Sequence, residues 1–292
     1  MPGEGLVVYR SDRLADCDEA SLVLTAVGVP HEIVPLGTEH ALLVEPSAFE
    51  TAHAHLVRYA EERRTPPHPR PRAPYPRAWV GCAMYCAVLI AVAYAVRRGI
   101  GPLDAFDRGE LYAAAVQHGQ WWRAWTALTL HYGLAHLSGN LGAGVWIGYL
   151  AGRVLGPGTA WALMVNGGAL ANLIEGTLAA SPHRSAGAST AVFTGLGLLA
   201  AFTWRERRSL REHWAHRFSP LVAGVVLLGW LGTAGAHTDV SAHLLGFLVG
   251  VLLGAVIAAP SLQRRLAQTP QWAGGALALG AVACAWLLAL SG

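Results

Sequence analysis

Apolar positions change their rhythm along this chain. In residues 1–64 they come in short runs: a strand at Leu6–Tyr9, a helical spacing from Asp16 to Val27, strands at His31–Pro35 and Ala41–Val44, and a second helix reaching Arg64. Gly28 stands where helices commonly end in a left-handed residue, and Ser47-Ala48-Phe49-Glu50 has capping-box spacing. The order β-α-β-β-α is half of a ferredoxin-like unit. This small α+β domain carries no catalytic motif and reads as a docking or regulatory module, or as a stabilising appendage. Residues 65–77, TPPHPRPRAPYPR, hold too many prolines for a helix and read as an extended basic linker.

Beyond the linker the pattern becomes seven apolar stretches: Ala78–Val96, His136–Gly152, Thr159–Ala180, Gly187–Trp204, Leu221–Ala236, Val240–Ala259 and Trp272–Leu290. Most approach the ~20 residues a helix needs to cross a bilayer; the second and fifth are short. The expected fold is an all-α polytopic membrane bundle of seven spans behind a small N-terminal α+β soluble domain. Six spans make a core over residues 78–259, and residues 260–292 add a loop and one further span.

Charge sets the orientation. Every basic side chain other than histidine is arginine. The linker, the loop Arg205–Arg217 and the pair Arg264-Arg265 fall on one side, which the positive-inside rule makes cytoplasmic. The chain is thus expected in the cell (inner) membrane with its N-terminus inside and its C-terminus outside. Arg97, Arg98, Arg108 and Arg123 fall on the other side, in a long first loop whose Trp121-Trp122-Arg123-Ala124-Trp125 cluster suggests an interfacial helix.

Composition agrees with a membrane protein. Of 292 residues, 53% are hydrophobic and only 13% charged, about half the usual charged share of roughly 25%. A net charge of +3, with no basic stripe interleaved with aromatics, excludes nucleic-acid binding as a reading. The four cysteines form no C-x-x-C pair and read as free thiols, not as a disulfide or zinc framework.

Polar groups inside spans are expensive and tend to mark function. With this topology spans two, four and six run in one direction, so their first turns share a depth. Those turns hold His136 and Asn140, Gly187-Ala188-Ser189-Thr190, and His243. A serine in a span more often bonds the carbonyl four residues back, and an asparagine often glues helices. Three helices delivering a serine, an imidazole and amide donors to one level supply what acyl transfer needs. Span six continues from His243 through Gly246, Gly250 and Gly254, a smooth stripe on which another helix can pack closely. A transporter would favour inverted repeats and several charges at mid-membrane; only Glu175 lies there.

These residues resemble the rhomboid intramembrane serine proteases. The likeness rests on G-A-S-T at Gly187–Thr190, A-H-x-x-G-x-x-x-G at Ala242–Gly250, H-x-x-x-x-H-x-x-x-N from His131 through His136 to Asn140, the pair Trp122-Arg123, and Asn172. It covers about Trp121 to Gly254, and the last span makes a six-plus-one form. The resemblance implies a dyad in which Ser189 is the nucleophile and His243 the base. It also implies an oxyanion site of His136, Asn140 and the Ser189 N–H, acting on transmembrane protein substrates near the outer membrane face. It calls for no cofactor and no metal, and leaves the oligomeric state open. A catalytically silent relative that binds client helices is the alternative; loss of the serine or the histidine would mark it. Thr190, Phe193 and Leu245 depart from the frequent Gly, Tyr and Gly of relatives. Asp239, one turn before His243, is a candidate to orient it, and Thr233–Asp239 a candidate cap.

Overall fold

A computed structural model describes residues 5–64, 74–100, 104–208, 214–232 and 239–291. The chain divides into two compact units, residues 1–70 and 71–292. Most of the proline-rich linker, the middle of the Arg205–Arg217 loop and most of the cap Thr233–Asp239 lie outside the described residues.

The first unit runs β1 (Leu6–Ser11), α1 (Leu14–Ala26), β2 (His31–Leu36), β3 (Glu39–Val44) and α2 (Phe49–Arg64). Its sheet has the order β1-β3-β2, with both pairings antiparallel, the arrangement of a split β-α-β unit. The core is Cys17, Leu24, Leu42, Val44, Ala52 and Leu56. Gly28, with φ of 71°, ends α1 as a left-handed residue and lets the Val29 N–H reach the Leu24 carbonyl at 3.0 Å. The entry to α2 differs from the capping-box expectation. Pro46–Ala48 forms a 3-10 turn ahead of Phe49, because a proline early in the segment already presets the helical φ.

The second unit begins with α3 (Trp79–Arg98). Short pieces follow: α4 (Ala105–Gly109), β4 (Leu111–Tyr112), α5 (Ala113–Gln117), α6 (Arg123–Thr126) and a 3-10 turn at Ala127–Thr129. Then come α7 (Leu134–Leu155), α8 (Pro157–Leu178), β5 (Arg184–Ser185), α9 (Ser189–Arg208), α10 (Trp214–Gly232), α11 (Val240–Ile257), α12 (Pro260–Gln268) and α13 (Gln271–Ser291). Among the described residues α3, α11 and α13 are long and apolar enough to cross a membrane by length and composition.

The first loop departs from the single interfacial helix expected of it. Arg123 is buried, and its guanidinium donates to the carbonyls of Asp107 at 2.7 Å and Glu110 at 2.8 Å. Backbone carbonyls away from water need such donors, so the arginine folds the loop around itself. β4 pairs with β5, where Arg184 meets Glu110 and lies 4.2 Å over the Tyr112 ring.

Helix contacts are made where side chains are missing. Gly81 and Gly148 both face the Trp161 indole, which stacks on Tyr85 at 4.6 Å. The tightest pairing is α9 with α11. A Cβ at Gly246 would lie 2.6 Å from the Thr190 carbonyl oxygen, and at Gly250 and Gly254 it would collide with the carbonyls of Thr194 and Leu198. From the other side, Gly197 meets the Phe247 carbonyl. The steps advance by four residues on both helices, so the two run parallel with their backbones touching.

Gly250→Val forces these backbones apart, an overpacking cost of about 1–3 kcal/mol or more. Its thermal midpoint in detergent is expected well below that of the parent. Gly280→Ala, facing open space on α13, is expected to leave the midpoint unchanged or slightly raised.

Candidate active site

Ser189 is the first residue of α9 and is half-buried. As the opening residue it has no preceding helical turn to bond, and no hydrogen bond joins its Oγ to another described residue. Two residues before it, Gly187 adopts φ of 154° and donates its N–H to the Ala127 carbonyl at 2.9 Å. A Cβ at this glycine would lie 2.9 Å from His136 Cε1 and 3.4 Å from Ser189 Oγ. His136 and Ser189 therefore border the same small space, and a side chain at position 187 would fill it.

The close pairing of α9 and α11 places the second imidazole. His243 is buried one turn before Gly246, and its ring packs on Phe193 with centroids 4.4 Å apart. Phe193 lies one helical turn beyond Ser189, so the His243 ring sits on the same face of α9 as the serine. A phenyl ring at position 193 keeps this packing although it lacks the hydroxyl of a tyrosine.

α7 brings the third group. Asn140 is buried; its amide Nδ2 donates to the His136 carbonyl at 3.0 Å, and its own carbonyl accepts from Tyr85 Oη at 2.8 Å. An asparagine amide carries two donors, so one N–H remains. His136 is stacked between rings, parallel to Tyr132 and edge-on to His131. His131 Nε2 accepts the Ala188 N–H at 3.3 Å. Burial, with His136 alongside, pushes the His131 ring down to about 4, which keeps it neutral and able to accept.

Other motif residues support this frame. Trp122 precedes α6, and Asn172 on α8 donates to the Ala124 carbonyl at 2.9 Å. An apolar cavity of about 560 Å³ between α3 and α13 reaches Ala188 and Ala191 beside the serine.

Asp239 has a different setting from the expected one. Its Oδ1 caps α11 by accepting the Ala242 N–H at 3.1 Å, and its Oδ2 lies 3.1 Å from His183. Burial works to raise its carboxyl, but Ser241, the Ala242 N–H, Ser185 and His183 together hold it below the usual range. It steadies the start of α11, and with it the backbone N–H of His243, which bonds the Asp239 carbonyl at 3.1 Å. The partners of Glu175 escaped the sequence reading, although an acid in a span signals a partner. They stand on separate connections, at His183 and Asp239, where solvated side chains are the rule.

The Rhomboid domain family matches residues 118–260, a stretch that holds all of these groups. Residues 118–260 are a rhomboid domain. That family is one of intramembrane proteases, and the chain is a multi-pass membrane protein. The Rhomboid protease GluP of Bacillus subtilis (strain 168) is 30% identical over 148 residues, 50% of this chain. The match spans 28% of that relative's own length.

The low value of His131 gives a pH dependence of a definite sign. Its neutral ring contributes stability in full above the ordinary value of 6.5, and that stability is lost as pH falls towards about 4. The thermal midpoint of the parent is expected to drop over that interval more steeply than that of His131→Gln, measured in the same detergent.

Proposed function

We propose that this rhomboid is an active intramembrane serine endopeptidase that cleaves transmembrane proteins near the outer face of the cell membrane. One observation carries the reading: the α9–α11 backbone contact sets the His243 ring on Phe193, one turn from Ser189, while His136 borders the serine across Gly187. In this mechanism Ser189 Oγ attacks the scissile carbonyl as His243 takes its proton. The tetrahedral oxyanion is received by the Ser189 N–H, the free amide N–H of Asn140 and His136. The start of α9 adds the partial positive charge of a helix N-terminus. His243 then returns the proton to the leaving amine, and water resolves the acyl-enzyme by the same steps in reverse. A hydrogen bond between serine and base that is open without substrate is common and tightens on binding.

Seven spans, six forming the core and α13 an added one, with the N-terminus cytoplasmic, remain the topology the arginine distribution favours. Residues 1–64 then form a cytosolic domain and residues 65–77 its linker. The apolar cavity beside Ala188 and Ala191 offers an apolar segment of a client a place next to the serine. Retention of both Ser189 and His243 leaves nothing in favour of a silent client-binding role.

A fluorophosphonate probe is expected to label the purified protein in detergent and to fail with Ser189→Ala and His243→Ala. Labelling that persists in Ser189→Ala overturns the assignment. With a cleavable transmembrane substrate, Asn140→Ala or His136→Ala is expected to lower kcat about 10²–10³-fold, the effect of losing one oxyanion donor (about 2.7–4 kcal/mol).

A further inference from the structure

Three polar side chains meet at the end of the bundle where α9 and α11 begin, apart from the serine and its neighbours. Glu175 comes from the last turn of α8, His183 from the connection to α9, and Asp239 from the N-cap just before α11. Glu175 is only 3% exposed. Its Oε1 accepts from Ser241 Oγ at 2.7 Å and lies 3.6 Å from His183 Nε2. His183 Nε2 is in turn 3.1 Å from Asp239 Oδ2. One ligand atom from each of the three lies within 4.8 Å of the others.

The cluster sets two carboxylates around one imidazole. Glu175 Oε2, His183 Nε2 and Asp239 Oδ2 are all buried, and none makes a hydrogen bond to a described residue. Ser241 faces both Glu175 Oε1 and Asp239 Oδ1 at 2.7 Å, but its single proton serves one carboxylate at a time. The nearest cation in sequence, Arg184, is committed to Glu110 and the Tyr112 ring. Two carboxylates withdrawn from water need either a shared proton or a cation between them.

We propose that Glu175, His183 and Asp239 bind one divalent transition-metal ion. A nitrogen with two carboxylate oxygens suits Mn²⁺, Co²⁺ or Zn²⁺ better than Ca²⁺ or Mg²⁺, which prefer oxygen alone. Bonds of about 2.1 Å put neighbouring ligand atoms about 3.0–3.4 Å apart, close to the 3.1 and 3.6 Å measured around His183. Water fills the remaining positions. The buried Glu175, whose Oε1 faces His183 and whose Oε2 is buried without a hydrogen-bond partner among the described residues, is what separates this from an ordinary group of acids. The ion ties the end of α8, the approach to Ser189 and the cap of α11 together. Control of proteolysis by the ion would rest on the proposed dyad; binding of the ion does not.

The test is made in full-length Ser189→Ala protein, so that its result is independent of any proteolysis. After chelator treatment and dialysis, Co²⁺ or Mn²⁺ is titrated in, and bound metal and thermal midpoint are followed. About one equivalent is expected, with visible Co²⁺ absorption bands and a midpoint that rises with occupancy. Adding His183→Gln, a change on a connecting segment that leaves the helices intact, is expected to weaken binding more than about tenfold and abolish the rise; Glu175→Gln is expected to do the same. No stoichiometric binding, or equal binding when His183 or Glu175 is replaced, overturns the proposal.

Discussion

The contact between the backbones of α9 and α11 is the constraint on which the rest of this bundle depends. Lipid tails are as apolar as leucine, so helices in a membrane gain little from burying apolar side chains against each other and rely on close packing. Here Gly246, Gly250 and Gly254 remove the side chains that would hold the axes apart, and Gly197 does so from the other partner. Thr194 fits the same seam by turning its hydroxyl to the Thr190 carbonyl at 2.8 Å. The parallel pairing then carries the residues at its leading end, Ser189 and His243, to the same level.

Around that seam the connecting segments answer a second demand of the bilayer, that backbone polar groups find partners within the protein. The segment between α3 and α7 has little regular structure, and buried side chains serve its carbonyls. Arg123 serves Asp107 and Glu110, Thr126 serves Gly109, and Asn172 serves Ala124. This scaffold holds the Ala127 carbonyl against Gly187 and carries the chain on to His131 and His136.

How much of this was legible in the sequence follows from which interactions are periodic. The glycines at every fourth position after His243 announced a helix seam, and the expectation that Ser189, His136 and Asn140 share a depth came from counting apolar stretches. The helices occur where those stretches lie, although α10 starts at Trp214, ahead of the apolar run expected from Leu221. The first loop was misread because its order comes from one buried arginine, and nothing periodic marks a cation that will bond carbonyls 13 and 16 residues away. Glu175, His183 and Asp239 were invisible as a group for the same reason: they are distant in sequence and meet only once α8, α9 and α11 are packed.

The interlocked seam also limits how these helices can move. A glycine notch accepts the opposing carbonyl only at four-residue intervals, so α11 cannot slide smoothly along α9; any axial shift is a ratchet of about 6 Å. A bundle geared in this way answers a deforming membrane by tilting the pair as one rod, and the spacing of the groups at its tip survives changes in bilayer thickness.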